Sequence, residues 1–105
     1  MPKGEIILIP FPFTNLTDTK MRPCLVLIKA EYDVTISFIT TQTGWNDKAA
    51  LAIKPSPSNG LKKESLIRLN KLATLDKELV IGKIGVVNKA ELTAVNQKLK
   101  EVLQL

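Results

Sequence analysis

The chain has 105 residues, 45% of them apolar. That is enough for one modest hydrophobic core and argues against wholesale disorder, so a single domain over residues 1–105 is expected. Fifteen Lys and Arg stand against ten Asp and Glu, and the net charge of +5 permits a polyanionic partner. The sequence has no histidine, which removes Ser–His and Cys–His nucleophile pairs, His-based zinc sites and two-histidine acid–base chemistry.

Any catalysis must therefore run on carboxylates, Lys, Arg, Tyr or hydroxyls. The single cysteine, Cys24, can form neither an internal disulfide nor a Cys-based metal site, and its apolar surroundings suit a small buried hydrophobe. No cofactor and no metal are expected. The longest apolar runs, Glu5–Pro10 and Cys24–Ile28, are too short to span a bilayer, so no membrane partner is expected. Nothing at the N-terminus reads as an export signal, and the default compartment is the cytoplasm.

In chain order, the β-rich run from Glu5 through Ile9 reads as a first strand. Pro10 to Phe13 is expected to end regular pairing, because each Pro removes a ladder donor. Thr14 to Met21 is rich in turn formers and reads as a mobile loop able to close over a substrate. Pro23 to Ala30 carries the strongest strand signal, a continuous apolar run fit for a buried central strand. After a turn at Glu31–Asp33, Val34 to Thr41 alternates apolar and polar residues, a half-buried strand paired back on its predecessor.

Gln42 to Lys48 is a polar loop with Gly44 and the only tryptophan, Trp45; Ala49 to Lys54 is a short strand; Pro55 to Gly60 is a breaker cluster. Ser65 to Leu75 supports two readings. Leu66, Leu69, Leu72 and Leu75 recur every three residues, as on a helix, whereas Leu66, Ile67 and Leu69 also fit a strand. Glu78 to Val87 reads as a last strand, with Gly82 and Gly85 as bulges or close contacts. Asn88 and Glu91 are spaced as a capping box, after which Leu92, Val95, Leu99, Val102 and Leu103 line one face of a helix. Strands first and one helix last point to a mainly β (α+β) fold: a small twisted antiparallel sheet or barrel closed by the terminal helix.

Few residues can carry chemistry. Arg22, one of two arginines, sits where a polar loop enters the most apolar strand, and a guanidinium there suits a phosphate as well as it suits an ion pair with Asp18. If the second and third strands form a hairpin, Arg22 shares a rim of the sheet with Thr40, Thr41 and Gln42. On residues alone the two threonines are equally well explained as strand formers. Trp45, just beyond, suits either base stacking or a lid over the core.

Three blocks together carry a resemblance: Lys3 to Thr14, opening Lys-Gly-Glu and closing Pro-Phe-Pro-Phe-Thr; Arg22 to Leu27, Arg-Pro-Cys-Leu-Val-Leu; and Phe38 to Gln42, Phe-Ile-Thr-Thr-Gln. In this order they resemble PemK/MazF-type toxins of type II toxin–antitoxin systems, with Glu5 where that family usually has Asp. Ser65 to Lys77 and the closing strand–helix unit are similar to the rest. The resemblance implies a compact SH3-like antiparallel barrel with a C-terminal α-helix, acting as a homodimer, with Ser65–Lys71 as a strand. It implies a sequence-specific, metal-independent endoribonuclease that cuts single-stranded RNA, arrests growth, and is neutralised by a cognate antitoxin, with DNA contacted only through the antitoxin complex.

The same resemblance makes Arg22 and Thr40 the catalytic pair. Thr41, Gln42, Lys20, Phe11 and Trp45 are the expected RNA contacts. Arg22 would neutralise phosphate oxygens and Thr40 would add a hydrogen-bond donor. The general base is unassigned: an arginine side chain keeps its proton too firmly, and Glu5 and Asp18 qualify only by nearness in sequence. The rival readings are an inactive RNA-binding or autoregulatory module of the same fold, and an SH3-like peptide-binding domain, for which five aromatics are few.

Overall fold

The structure is a computed structural model that describes residues 2–11, 20–44 and 46–105. Its strands are β1 (Glu5–Phe11), β2 (Lys20–Lys29), β3 (Asp33–Thr40), β4 (Ala50–Ile53), β5 (Ser65–Asp76) and β6 (Gly82–Val86), followed by helix α1 (Lys89–Leu103). They form one antiparallel sheet in the order β4-β5-β3-β2-β1-β6, curled into a half-barrel with the helix at its C-terminal end.

The continuous apolar runs of β1 and β2 are explained by burial on both faces. Ile6, Leu25 and Leu27 pack with Ile39, Ile67 and Leu69 beneath Val95 of the helix. Their sequence neighbours Ile7, Ile9, Cys24 and Val26 pack with Val34, Ile36 and Leu75 inside the curl. Residues of period two thus feed two separate clusters. Burying these side chains removes roughly 2 kcal/mol worth of apolar surface apiece from water, so both clusters hold the curl shut.

Four expectations are corrected. Pairing does not stop at Pro10, because β1 runs to Phe11 with Pro10 opposite Met21. The Leu8 carbonyl accepts from the Ile81 N–H, so Leu8 and, two residues on, Pro10 direct their backbone groups away from β2. The β6 ladder ends at Leu8, and the missing Pro10 N–H therefore costs no bond. Second, Lys20 and Met21 belong to β2, not to the preceding loop, whose residues 14–19 lie outside the described residues.

Third, the register shift in the closing strand falls between Gly82 and Gly85, at Ile84, and only Gly85 is a close contact: a Cβ there would lie 2.3 Å from the Asn59 carbonyl carbon, whereas one at Gly82 would meet nothing. The strand is also shorter than expected, a 3-10 turn at Lys77–Leu79 preceding it. Fourth, Leu103 is 51% exposed at the helix end, off the packed stripe of Leu92, Val95, Leu99 and Val102.

Ser65–Asp76 is a strand, and a bulge within it changes which face its residues take. Consecutive β3 residues Ser37 and Phe38 pair with Leu72 and Arg68, so Leu69, Asn70 and Lys71 bulge out of the ladder. The insertion of three residues inverts which face odd-numbered residues occupy. Ile67 and Leu69 pack under the helix, while Ala73 and Leu75 pack inside the curl. The four leucines therefore mark no common face: Leu69 packs under the helix, Leu75 packs inside the curl, and Leu72 is largely exposed. The buried Ser37 hydroxyl donates to the Arg68 carbonyl at 2.6 Å, stitching the bulge to β3.

The breaker cluster is a built turn. Buried Asn59 accepts the Ser56 and Leu61 N–H groups (3.1 and 2.9 Å) and donates to the Lys54 carbonyl (2.9 Å). At the helix start, Asn88 and Glu91 form the reciprocal capping box.

Candidate active site

Side chains directly opposite one another in an antiparallel ladder share a face. Ile9 lies across from Arg22, Cys24 across from Phe38, and Phe38 across from Arg68. Ile9 and Cys24 face inside the curl, so Phe11, Arg22, Phe38, Thr40 and Arg68 project to that side too. Continuing the Cys24–Phe38 register by two residues sets Arg22 across from Thr40.

A cleft of about 500 Å³ opens here, lined by Phe11, Arg22, Phe38 to Gln42, Arg68 and Lys71. Of the residues expected in the site, Arg22, Thr40, Thr41, Gln42 and Phe11 meet in it. Lys20 stands opposite Phe11 at the end of the ladder but does not line the cleft, because the lining on β2 stops at Arg22, two pairs short of it. Trp45 lies outside the described residues, as does Asp18.

The Arg22 guanidinium is exposed and makes no ion pair among the described residues. The Thr40 Oγ1 accepts the Gln42 backbone N–H at 3.1 Å, a local turn that fixes the oxygen and leaves the hydroxyl proton to donate into the cleft. Phe11 and Phe38 meet edge to face, ring centroids 5.5 Å apart at 72°, forming an apolar wall beside the cations.

Two lining cations, Arg68 and Lys71, were missed in the sequence. Arg68 faces the cleft only because its segment is a strand, and Lys71 reaches it only because of the bulge. The one available signal was that Arg68 is the chain's second arginine. Its guanidinium lies 3.7 Å from the Asp47 carboxylate.

No Asp or Glu among the described residues lines the cleft. Glu5 sits at the far end of β1, pairs with Lys83 at 3.1 Å and is buried, which removes it as a base for chemistry near Arg22. Among the described residues no three His, Cys, Asp or Glu side chains gather as a metal site. Cys24 is fully buried behind the cleft, its thiol pushed up to about 12 by loss of solvation, so it stays protonated and unreactive at neutral pH. The arrangement is a cationic pocket with an oriented hydroxyl and an aromatic wall, which can bind a phosphodiester and stabilise charge building on it.

The sequence profile of the PemK-like, MazF-like toxins of type II toxin–antitoxin systems matches residues 2–103. In fold, the chain is similar to the solved Mycobacterium tuberculosis toxin MazF-mt6, with a TM-score of 0.78 at 20% identity over 96% of this chain and 97% of that one. It is similarly close to an endoribonuclease solved in complex with its cognate antitoxin from mycobacterial species, with a TM-score of 0.79 at 21% identity over 100% and 97%. No curated protein matches the chain by sequence. A profile match over nearly the whole length, on a curled sheet with a C-terminal helix, places the chain in the family of PemK-like, MazF-like toxins of type II toxin–antitoxin systems.

Proposed function

We propose that the chain is a sequence-specific endoribonuclease toxin that cuts single-stranded RNA without a metal, arrests growth, and is neutralised by a cognate antitoxin. The observation carrying this reading is the cationic cleft that Arg22 and Thr40 line together. The RNA 2′-oxygen attacks the adjacent phosphorus and loses its proton, the P–O5′ bond breaks, and the departing 5′-oxygen takes up a proton. The products are a 2′,3′-cyclic phosphate and a 5′-hydroxyl.

Arg22 stabilises the nonbridging oxygens and, as the acid, delivers the proton to the leaving oxygen. The Thr40 hydroxyl donates to the same phosphate. The described cleft lining holds no carboxylate, so catalysis rests on charge stabilisation, with the 2′-OH proton leaving to water or to a group beyond that lining. Thr41, Gln42 and Lys20 contact neighbouring phosphates or sugars, and Phe11 and Trp45 offer faces for bases. The working form is a homodimer of single-domain chains in the cytoplasm. Its antitoxin lays a partly disordered acidic segment in the cationic groove and supplies the only contact with DNA.

The test is to incubate the protein and its Arg22→Ala form with a long RNA in EDTA and to map the ends. Discrete cuts bearing cyclic phosphate that vanish in the variant support the reading. Uncut RNA that is still retained on a filter points to a binding module, and no retention to an interaction domain.

A further inference from the structure

We propose that the free outer edge of β5, from Leu72 to Asp76, pairs with an extended segment of a partner protein whose carboxylates meet Lys71 at the cleft; this rests on the reading of the chain as a toxin neutralised by an acidic antitoxin segment. β5 runs for 12 residues, but β4 covers only its first part, Ser65 to Arg68, with one further bond from the Leu69 N–H to the Ala49 carbonyl. On its other side β5 pairs with β3 as far as Asp76. Backbone direction alternates along a strand, and the Lys77 N–H points to the Tyr32 carbonyl at the base of β3. Leu75 and Ala73 therefore turn their backbone groups to β3. The N–H and C=O of Leu72 and Thr74, and the Asp76 N–H, point away from it, and no backbone group among the described residues meets them.

Exposed edges are normally blunted by a charge, a proline or a bulge. Here the bulge and Lys71 end before Leu72, and Leu72-Ala73-Thr74-Leu75 carries no charge and no proline. Leu72 is 40% exposed and Thr74 is exposed, so the stretch is open to a neighbour. A strand added here would lie in line with β4, its alternate side chains on the curl side next to Lys71. Lys71 lines the cleft with Arg22 and Arg68, and no Asp or Glu among the described residues does, so carboxylates suit that end. Asp76 stands at the far end, where they do not. A second copy of this chain would bring its own net charge of +5 to the same place. The occupant is thus an extended segment, acidic at one end, that pairs through its backbone and reaches the cleft through its side chains.

The probe is the capped peptide Glu-Thr-Glu-Thr-Val-Thr-Val-Thr, together with its reverse, so that carboxylates reach Lys71 in either strand direction. Amide hydrogen exchange followed by NMR reads the edge directly. At saturation with one of the two peptides, the N–H groups of Leu72, Thr74 and Asp76 are expected to exchange at least about tenfold more slowly. The same peptide with Gln for Glu, and the acidic peptide methylated at every backbone nitrogen, should each bind about tenfold more weakly. Thr74→Pro removes an outward N–H and leaves the ladder with β3 whole. It should weaken the peptide to the same degree while the melting temperature stays within about 5 °C.

The proposal is overturned if neither peptide slows exchange at Leu72, Thr74 and Asp76, or if the methylated or the Gln form binds as tightly as the acidic one. It is overturned equally if Thr74→Pro dissociates a homodimer, which gives the edge to a second copy. Should Thr74→Pro not fold, the peptide measurements on the wild type decide alone. An acidic peptide that blocks RNA cutting without protecting the edge sinks the proposal and leaves the proposed function standing. If the wild type itself cuts no RNA, the proposed activity fails, and amide exchange with the peptides still decides the edge.

Discussion

Thr40→Val tests whether the Thr40 hydroxyl acts on phosphate. Val matches Thr in shape and strand preference, so the half-buried position of Thr40 at the end of β3 is preserved. The substitution removes one local bond, the 3.1 Å acceptance of the Gln42 N–H, which is exposed and passes to water. Stability should therefore fall by only about 0.5 kcal/mol, a few degrees at most in Tm for a domain of this size. The chemical step should lose far more, because a donor aimed at developing charge is worth about 100-fold in rate. The assay is single-turnover cutting of a fluorescent RNA in EDTA with protein in excess, alongside thermal melts. Thr40→Ser keeps the hydroxyl and should stay within about threefold of wild type, a spread small beside the 100-fold loss. If Thr40→Val cuts within threefold of wild type, or if Ser and Val lose activity alike, Thr40 is not the donor.

Three further outcomes are expected. Cys24 should resist iodoacetamide at pH 8 in the folded protein and react once urea unfolds it, as mass spectrometry can follow, because burial pushes its thiol from 9.0 up to about 12. Since the unfolded thiol ionises first, the unfolded state binds fewer protons above pH 9, and stability should fall by up to about 1.4 kcal/mol per pH unit from there toward 12. Asn59→Ala removes the partner of two N–H groups and one carbonyl in a partly buried turn, and urea denaturation should show a loss of about 1–3 kcal/mol. Gly85→Ala drives a Cβ into the Asn59 backbone and should cost about 1–3 kcal/mol by the same method, whereas Gly82→Ala, with open space around it, should stay within about 0.5 kcal/mol.

The elements most legible in the sequence were those whose signal is local. The capping box at Asn88 and Glu91, the stripe from Leu92 to Val102, and the apolar run of β2 each follow from neighbours on the chain, and the structure has them in place. Blocks of motif, taken together, also identified the family. Pro10 was misjudged because a missing N–H matters only where a ladder continues, and β6 stops before it. Leu103 was assigned to the packed face because periodicity continues beyond the point where the core ends.

The sequence alone thus determined the class of fold and placed Arg22 and the Thr40–Gln42 turn at one rim, since hairpin pairing follows from two adjacent strands and a short turn. Only the tertiary structure decided what faces them. Arg68 and Lys71 arrive from a strand some thirty residues downstream, across a bulge that inverts face parity, and Asp47 reaches Arg68 through a ladder between β4 and β5. No local pattern encodes such a meeting. It exists because buried backbone groups must pair and because the sheet must curl to bury both its faces, and those demands are settled by the whole chain at once.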